Sequence, residues 1–253
     1  MPSLSSYCPA LDGAYLLRLG LPLLLGLSAV APQAEASARQ GLPLGPQGQA
    51  APFCRPAGLA PAPEGEAGIV QIGGSPTAVA IAGRRAYVGQ GPRIAVYDIG
   101  DPAAPRLICQ TAMLPDAVGG IAVAEGRVHA LVYRYGQSPA NARTELWVLD
   151  AAQPEGLEIL GSVQLSGSFG RVLVGRGTAY LSGKWKESEQ NRAGLAMVDL
   201  ADPRAPREIG RYVQGPDEGI YIESAALEGD RLVTGSFWGG LSVLDISRPA
   251  QPR

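Results

Sequence analysis

The chain is poor in the residues that build most catalytic and metal centres. Among 253 residues there is one histidine, His129, with three cysteines and three methionines. A single imidazole excludes a multi-histidine metal site. His129 also falls in the alternation Val128-His129-Ala130-Leu131-Val132, the pattern of a packed strand position rather than of a general base. Lysine occurs only as Lys184 and Lys186, and the arginines are scattered. With a net charge of −2, there is no electrostatic case for nucleic-acid binding. No G-x-S-x-G elbow, Walker A loop or D-x-D-x-D-G calcium loop is present. Gly175–Tyr180 (GRGTAY) starts like a dinucleotide loop but opens no helix. No N-x-[ST] acceptor is present either. These absences imply no cofactor and name no catalytic residue.

Glycine (34) and proline (22) are plentiful, and they are ordered rather than scattered. One phrase recurs four times: IAVYDIGDPAAPR (Ile94–Arg106), LWVLDAAQPEGLE (Leu146–Glu158), LAMVDLADPRAPR (Leu195–Arg207) and LSVLDISRPAQPR (Leu241–Arg253). Its acids, Asp98, Asp150, Asp199 and Asp245, are spaced by 52, 49 and 46 residues. Each phrase is preceded by two short apolar runs separated by a glycine-containing turn. The first three are followed by a further run: Arg106–Ala112, Leu157–Leu165 and Arg207–Val213. The unit therefore reads as four antiparallel strands, here called a to d, and the period predicts an all-β propeller of about four blades. An Asp before a proline turn accepts backbone N–H bonds, so four copies at one position point to a structural duty. The fourth phrase has no d run after it, whereas Gly68–Gly74 (GIVQIGG) is a d-like run without a blade. Two readings stay open. In one, Ile69–Ile72 pairs with Leu241–Asp245 and closes a four-blade ring; in the other, the chain is the front part of a longer propeller.

Residues 69–253, with IAVYDIGDPAAP and LAMVDLADPRAP as the best copies and LWVLDAAQPEGL as the most divergent, resemble the LVIVD-repeat family of bacterial and archaeal surface proteins. The resemblance implies a β-propeller and an exported location. It implies no defined catalytic residues.

Three domains are expected. Residues 1–38 read as a secretory signal, because the apolar run Leu16–Leu27 leads to AEASA (Ala34–Ala38), with cleavage after Ala36 or Ala38. That run is short for a membrane span and contains Pro22, so no span is expected once the signal is removed. Residues 39–67, rich in Pro, Gly, Ala and Gln, read as a flexible tether. Residues 68–253 form the propeller. In an oxidising compartment Cys54 of the tether and Cys109 of the first d run could pair; spacing alone equally allows two free thiols.

Alternating strand direction puts the b–c and d–a loops on one face of such a ring. The b–c loops vary where the others are uniform, and variable loops on a rigid scaffold are where function is displayed. That face collects the candidate partner-binding residues Tyr133, Tyr135, Lys184, Trp185, Lys186, Phe237 and Trp238, together with Phe169, Arg171, Asp217, Glu218 and Tyr221. The reading this favours is an exported, non-enzymatic binding or scaffold module with a protein or polymer partner at the cell envelope. A rival reading is a hydrolase or lyase with a carboxylate site at the channel mouth, drawing on Asp116, Asp217 and Glu218, which are also the weak candidates for a metal. A third is a fragment of a longer propeller.

Overall fold

The computed structural model describes residues 54–56 as backbone only, and residues 76–133, 141–153, 156–188, 190–214, 221–237 and 239–253 in full. The chain divides into two units, Met1–Leu42 and Pro43–Arg253, and every described residue belongs to the second. The expected signal, the tether apart from 54–56, and the strand 69–72 lie outside the described residues.

The described residues contain no helix and fall into four antiparallel sheets. The first holds β1 (Cys54–Pro56), β2 (Pro76–Ala82), β3 (Arg85–Gln90), β4 (Arg93–Asp98) and β5 (Arg106–Thr111), in the order β1-β5-β4-β3-β2. The second holds β6 (Ala117–Ala124), β7 (Arg127–Tyr133), β8 (Arg143–Asp150) and β9 (Glu158–Ser166). The third holds β10 (Ser168–Gly175), β11 (Thr178–Glu187), β12 (Gln190–Asp199) and β13 (Arg207–Val213). The fourth has β14 (Ser224–Glu228), β15 (Arg231–Ser236) and β16 (Gly240–Asp245). Strands a to d of the repeat are therefore present in three sheets, and a to c in the fourth.

Two repeated turns make each sheet. The a–b hairpins turn where φ is positive, at Gly83, Glu125-Gly126, Arg176-Gly177 and Gly229, the region that glycine enters at little cost. In the c–d turn the signature carboxylate accepts the N–H two residues on: Asp98 from Gly100 at 2.8 Å, Asp150 from Ala152 at 2.9 Å, Asp199 from Ala201 at 3.0 Å and Asp245 from Ser247 at 2.8 Å. The backbone bond from Gly100, Ala201 or Ser247 is the main reason the Asp98, Asp199 and Asp245 carboxyls titrate below the usual value. The N–H after each Asp reaches back to the a–b turn, in the bonds Ile99 to Arg84 O, Ala151 to Gly126 O, Leu200 to Gly177 O and Ile246 to Asp230 O. One phrase thus locks both hairpins at the same end of its sheet.

The sheets stack face to face through three apolar junctions. Ile94 and Val96 of the first sheet meet Ile121 and Val123 of the second. Leu146 and Val148 of the second meet Val172 and Val174 of the third. Leu195 and Met197 of the third meet Ala225 and Leu227 of the fourth. Outer-strand glycines admit the next sheet's turn: a Cβ at Gly161 would lie 2.6 Å from the Arg204 carbonyl oxygen, and one at Gly210 would lie 2.6 Å from that of Ala250. The matching position of the first sheet is Cys109, which is fully buried and disulfide-bonded. β1, which begins at Cys54, pairs with β5 beside it. The first and fourth sheets share no apolar cluster among the described residues, so the array is open.

Candidate functional site

The inner strands β2, β6 and β10 share one irregularity. Their pairing with the second strand shifts by one residue at Thr77, Gly119 and Gly170, respectively. A β-bulge bends its strand and takes local backbone out of the regular ladder. A Cβ at Gly119 would overlap the Tyr133 ring, so a larger residue there would have to displace that side chain. At Gly170 a Cβ would meet open space. These strand beginnings surround a cavity of about 430 Å³, which extends past Tyr180, Ser182 and Leu195 of the third sheet to Ala225 of the fourth. Since it is lined by the first residues of the inner strands, it lies toward the end of the sheets that carries the b–c and d–a loops.

Arg171 is the one charged side chain lining this cavity among the described residues. It is exposed, and it makes no ion pair or hydrogen bond with any described residue. Thr77, whose hydroxyl donates to the Val118 carbonyl, and the buried Ser182 add hydroxyls. Burial raises the Tyr180 phenol pKa, and its hydroxyl is hydrogen-bonded to Thr178 at the a–b hairpin end of β11. The described lining holds no carboxylate, thiol or imidazole. Such a surface can hold an anionic or carbonyl-bearing group by charge and hydrogen bonds.

The candidates chosen from sequence divide sharply. Lys184 and Tyr221 are brought together, with Lys184 Nζ 3.7 Å from the centre of the Tyr221 ring. Phe169 and Trp185 also meet, stacked with centroids 6.2 Å apart and planes 19° apart, but they are 0% and 2% exposed. This corrects their assignment to a partner-binding surface, since a buried ring pair holds β10 against β11. The reason is strand length: β11 runs on through Glu187 and β12 starts at Gln190, so Lys184–Glu187 pairs with Gln190–Ala193 as hairpin ladder where a b–c loop is expected. Alternation along β11 then turns Trp185 inward while Lys186 stays exposed.

Arg211, which sequence reasoning missed, stacks its guanidinium 4.9 Å from the Trp185 ring and 5.7 Å from that of Phe169. Glu208 steadies it through bonds of 2.5 and 3.1 Å. No local signal marks Arg211, because its partners lie on two other strands. Arg171 stands on β10 rather than in a d–a loop. Tyr133 ends β7, and Phe237 is 74% exposed between β15 and β16. Asp116 accepts the Ala117 N–H at 3.2 Å and does not line the cavity. Tyr135, Asp217, Glu218 and Trp238 lie outside the described residues. Among the described residues, no group of three or more His, Cys, Asp or Glu could hold a metal.

His129 is 1% exposed, and neither ring nitrogen has a hydrogen-bond partner among the described residues. Burial lowers its pKa to about 4. It occupies the b-strand position filled by Tyr87 and Tyr180 in the neighbouring sheets, facing the junction and not the cavity.

Together these features define a propeller-like, all-β repeat protein whose inner strands surround a polar cavity. The model of the LVIVD repeat matches residues 73–111 and 224–253, so the first and fourth sheets carry LVIVD repeats. No curated protein matches the chain. Among solved structures it is similar to a computationally designed protein called Ika4, with 11% identity and a TM-score of 0.48, over 69% of this chain and 93% of that one.

Proposed function

We propose that this protein is an exported, non-enzymatic binding module of the cell envelope. It takes a protein or polymer partner on the b–c/d–a face, with Arg171 and the cavity at the centre of that face. The observation that carries the reading is the meeting of Lys184 with Tyr221 at the end of the sheets where Arg171 is exposed beside the cavity. Cationic groups backed by an aromatic ring favour acidic or carbonyl-rich partners. Export rests on the Leu16–Leu27 run and the AEASA segment.

Fluorescent poly-glutamate is the probe for the face. It should bind the purified protein in a salt-sensitive manner, and the double variant Arg171→Glu/Lys186→Glu should lose at least tenfold in affinity with an unchanged melting temperature. Equal binding by the variant would remove this face from consideration. For export, the mature chain from a cell-envelope fraction should begin after Ala36 or Ala38; an intact leader on a cytoplasmic product would overturn that part.

A further inference from the structure

The two outer faces of the sheet array are complementary halves of one junction. In each of the three internal junctions, two apolar residues of a c strand face two of the next a strand. The c-strand pairs are Ile94/Val96, Leu146/Val148 and Leu195/Met197, all 0–1% exposed. By register, the same pair in the fourth sheet is Leu241/Val243, and these are 72% and 57% exposed. The a-strand pairs are Ile121/Val123, Val172/Val174 and Ala225/Leu227, each packed against the preceding sheet. Their counterparts in the first sheet, Val79 and Ile81, are 64% and 65% exposed.

The fourth sheet therefore presents the half of a junction that follows every other sheet, and the first presents the half that precedes one. Exposed β-branched and leucine side chains on a flat sheet face mark an interaction surface, and they are costly to leave in water. Both halves are exposed in the same molecule, so neither covers the other. Of the rest of the first sheet's outer face, Ala86, Val88, Ala95 and Tyr97 are already buried, which confines new contact to β2. A strand added at the β16 edge would pair along the sheet and leave the Leu241/Val243 face uncovered.

We propose that this face receives the first sheet of a second copy of the chain, with Val79 and Ile81 of one copy on Leu241 and Val243 of the other. The contact is heterologous, repeating the three junctions already inside each chain. Such contacts close into rings or run on into open arrays.

Sedimentation velocity on the full chain tests this, with two variants: Leu241→Arg/Val243→Arg and Val79→Arg/Ile81→Arg. The wild type should show concentration-dependent mass above one chain, and each variant alone should be a folded monomer. A mixture of the two variants should reach two copies and stop, because one intact junction remains. A monomeric wild type whose Leu241→Arg/Val243→Arg variant melts far lower would mean closure within one chain, and would overturn the proposal. So would variants that keep the wild-type mass, a mixture that stays monomeric, or association that the mixture does not cap at two. These readouts do not involve poly-glutamate, so the proposal fails or stands separately from the binding function.

Discussion

The third and fourth sheets carry an apolar pair at the same place in the repeat, with opposite fates. Leu195 and Met197 are sealed at 1% and 0% exposure, while Leu241 and Val243 stand in solvent. Residue type does not separate them, and neither does strand register. The difference is the presence of a following sheet: β14 covers the third, and no described strand covers the fourth. A repeat unit thus encodes two faces, and neighbours decide which of them becomes core.

The largest expected effect breaks this comparison directly. Leu195→Ala should destabilise the protein by about 2–5 kcal/mol, as lost burial and a cavity add together. Leu241→Ala, measured on the monomeric Val79→Arg/Ile81→Arg background, should stay within about 0.5 kcal/mol, as exposed positions do. Chemical denaturation of both variants checks this, and similar losses at the two sites would show that the fourth sheet's face is covered in solution.

The next effect sharpens the contrast between the second sheet and its neighbours. His129 fills a position held by Tyr87 and Tyr180, and its folded pKa of about 4 lies below the unfolded value of 6.5. The unfolded chain therefore binds the extra proton first. Stability attributable to this site is fully present above about pH 6.5, falls as the pH drops toward 4, and amounts to roughly 3 kcal/mol in total. His129→Leu should flatten the stability–pH curve in that window. A curve of unchanged slope would mean that the imidazole reaches solvent or a partner.

A smaller effect concerns the turns. Asp199→Ala removes the bond to the Ala201 N–H and the pair of bonds from Arg207, and should cost about 1 kcal/mol, mostly from the turn. Because the Asp199 pKa is lowered on folding, its contribution is present above the unfolded carboxyl pKa and is lost as the pH falls through the folded one. Melts at pH 7 and pH 3 should differ between wild type and variant more at the higher pH.

The strands and turns were legible because they repeat. Four copies of Asp before a proline turn, each preceded by glycine hairpins, state a four-stranded unit without any coordinate. The candidate face was legible only in part. Lys184 and Tyr221 do meet, but Trp185 was misread because the β11–β12 hairpin is longer than its glycine and charge content suggests. Four rungs of ladder, from Lys184–Ala193 to Glu187–Gln190, decide which way a ring points. Arg211 and the Thr77, Gly119 and Gly170 bulges left no trace, since each gains meaning from a residue on another strand.

The sequence by itself determined the unit: strand order, the two turns, and an apolar pair on each strand face. Those are local properties, set by alternation, by glycine at positive φ and by an Asp that bonds its own backbone. Only the tertiary structure decided which copies of those pairs are buried, that Arg171 lines a cavity, and that the ends of the array are left as matching halves. Burial and encirclement depend on how many sheets stand side by side, which no single repeat specifies.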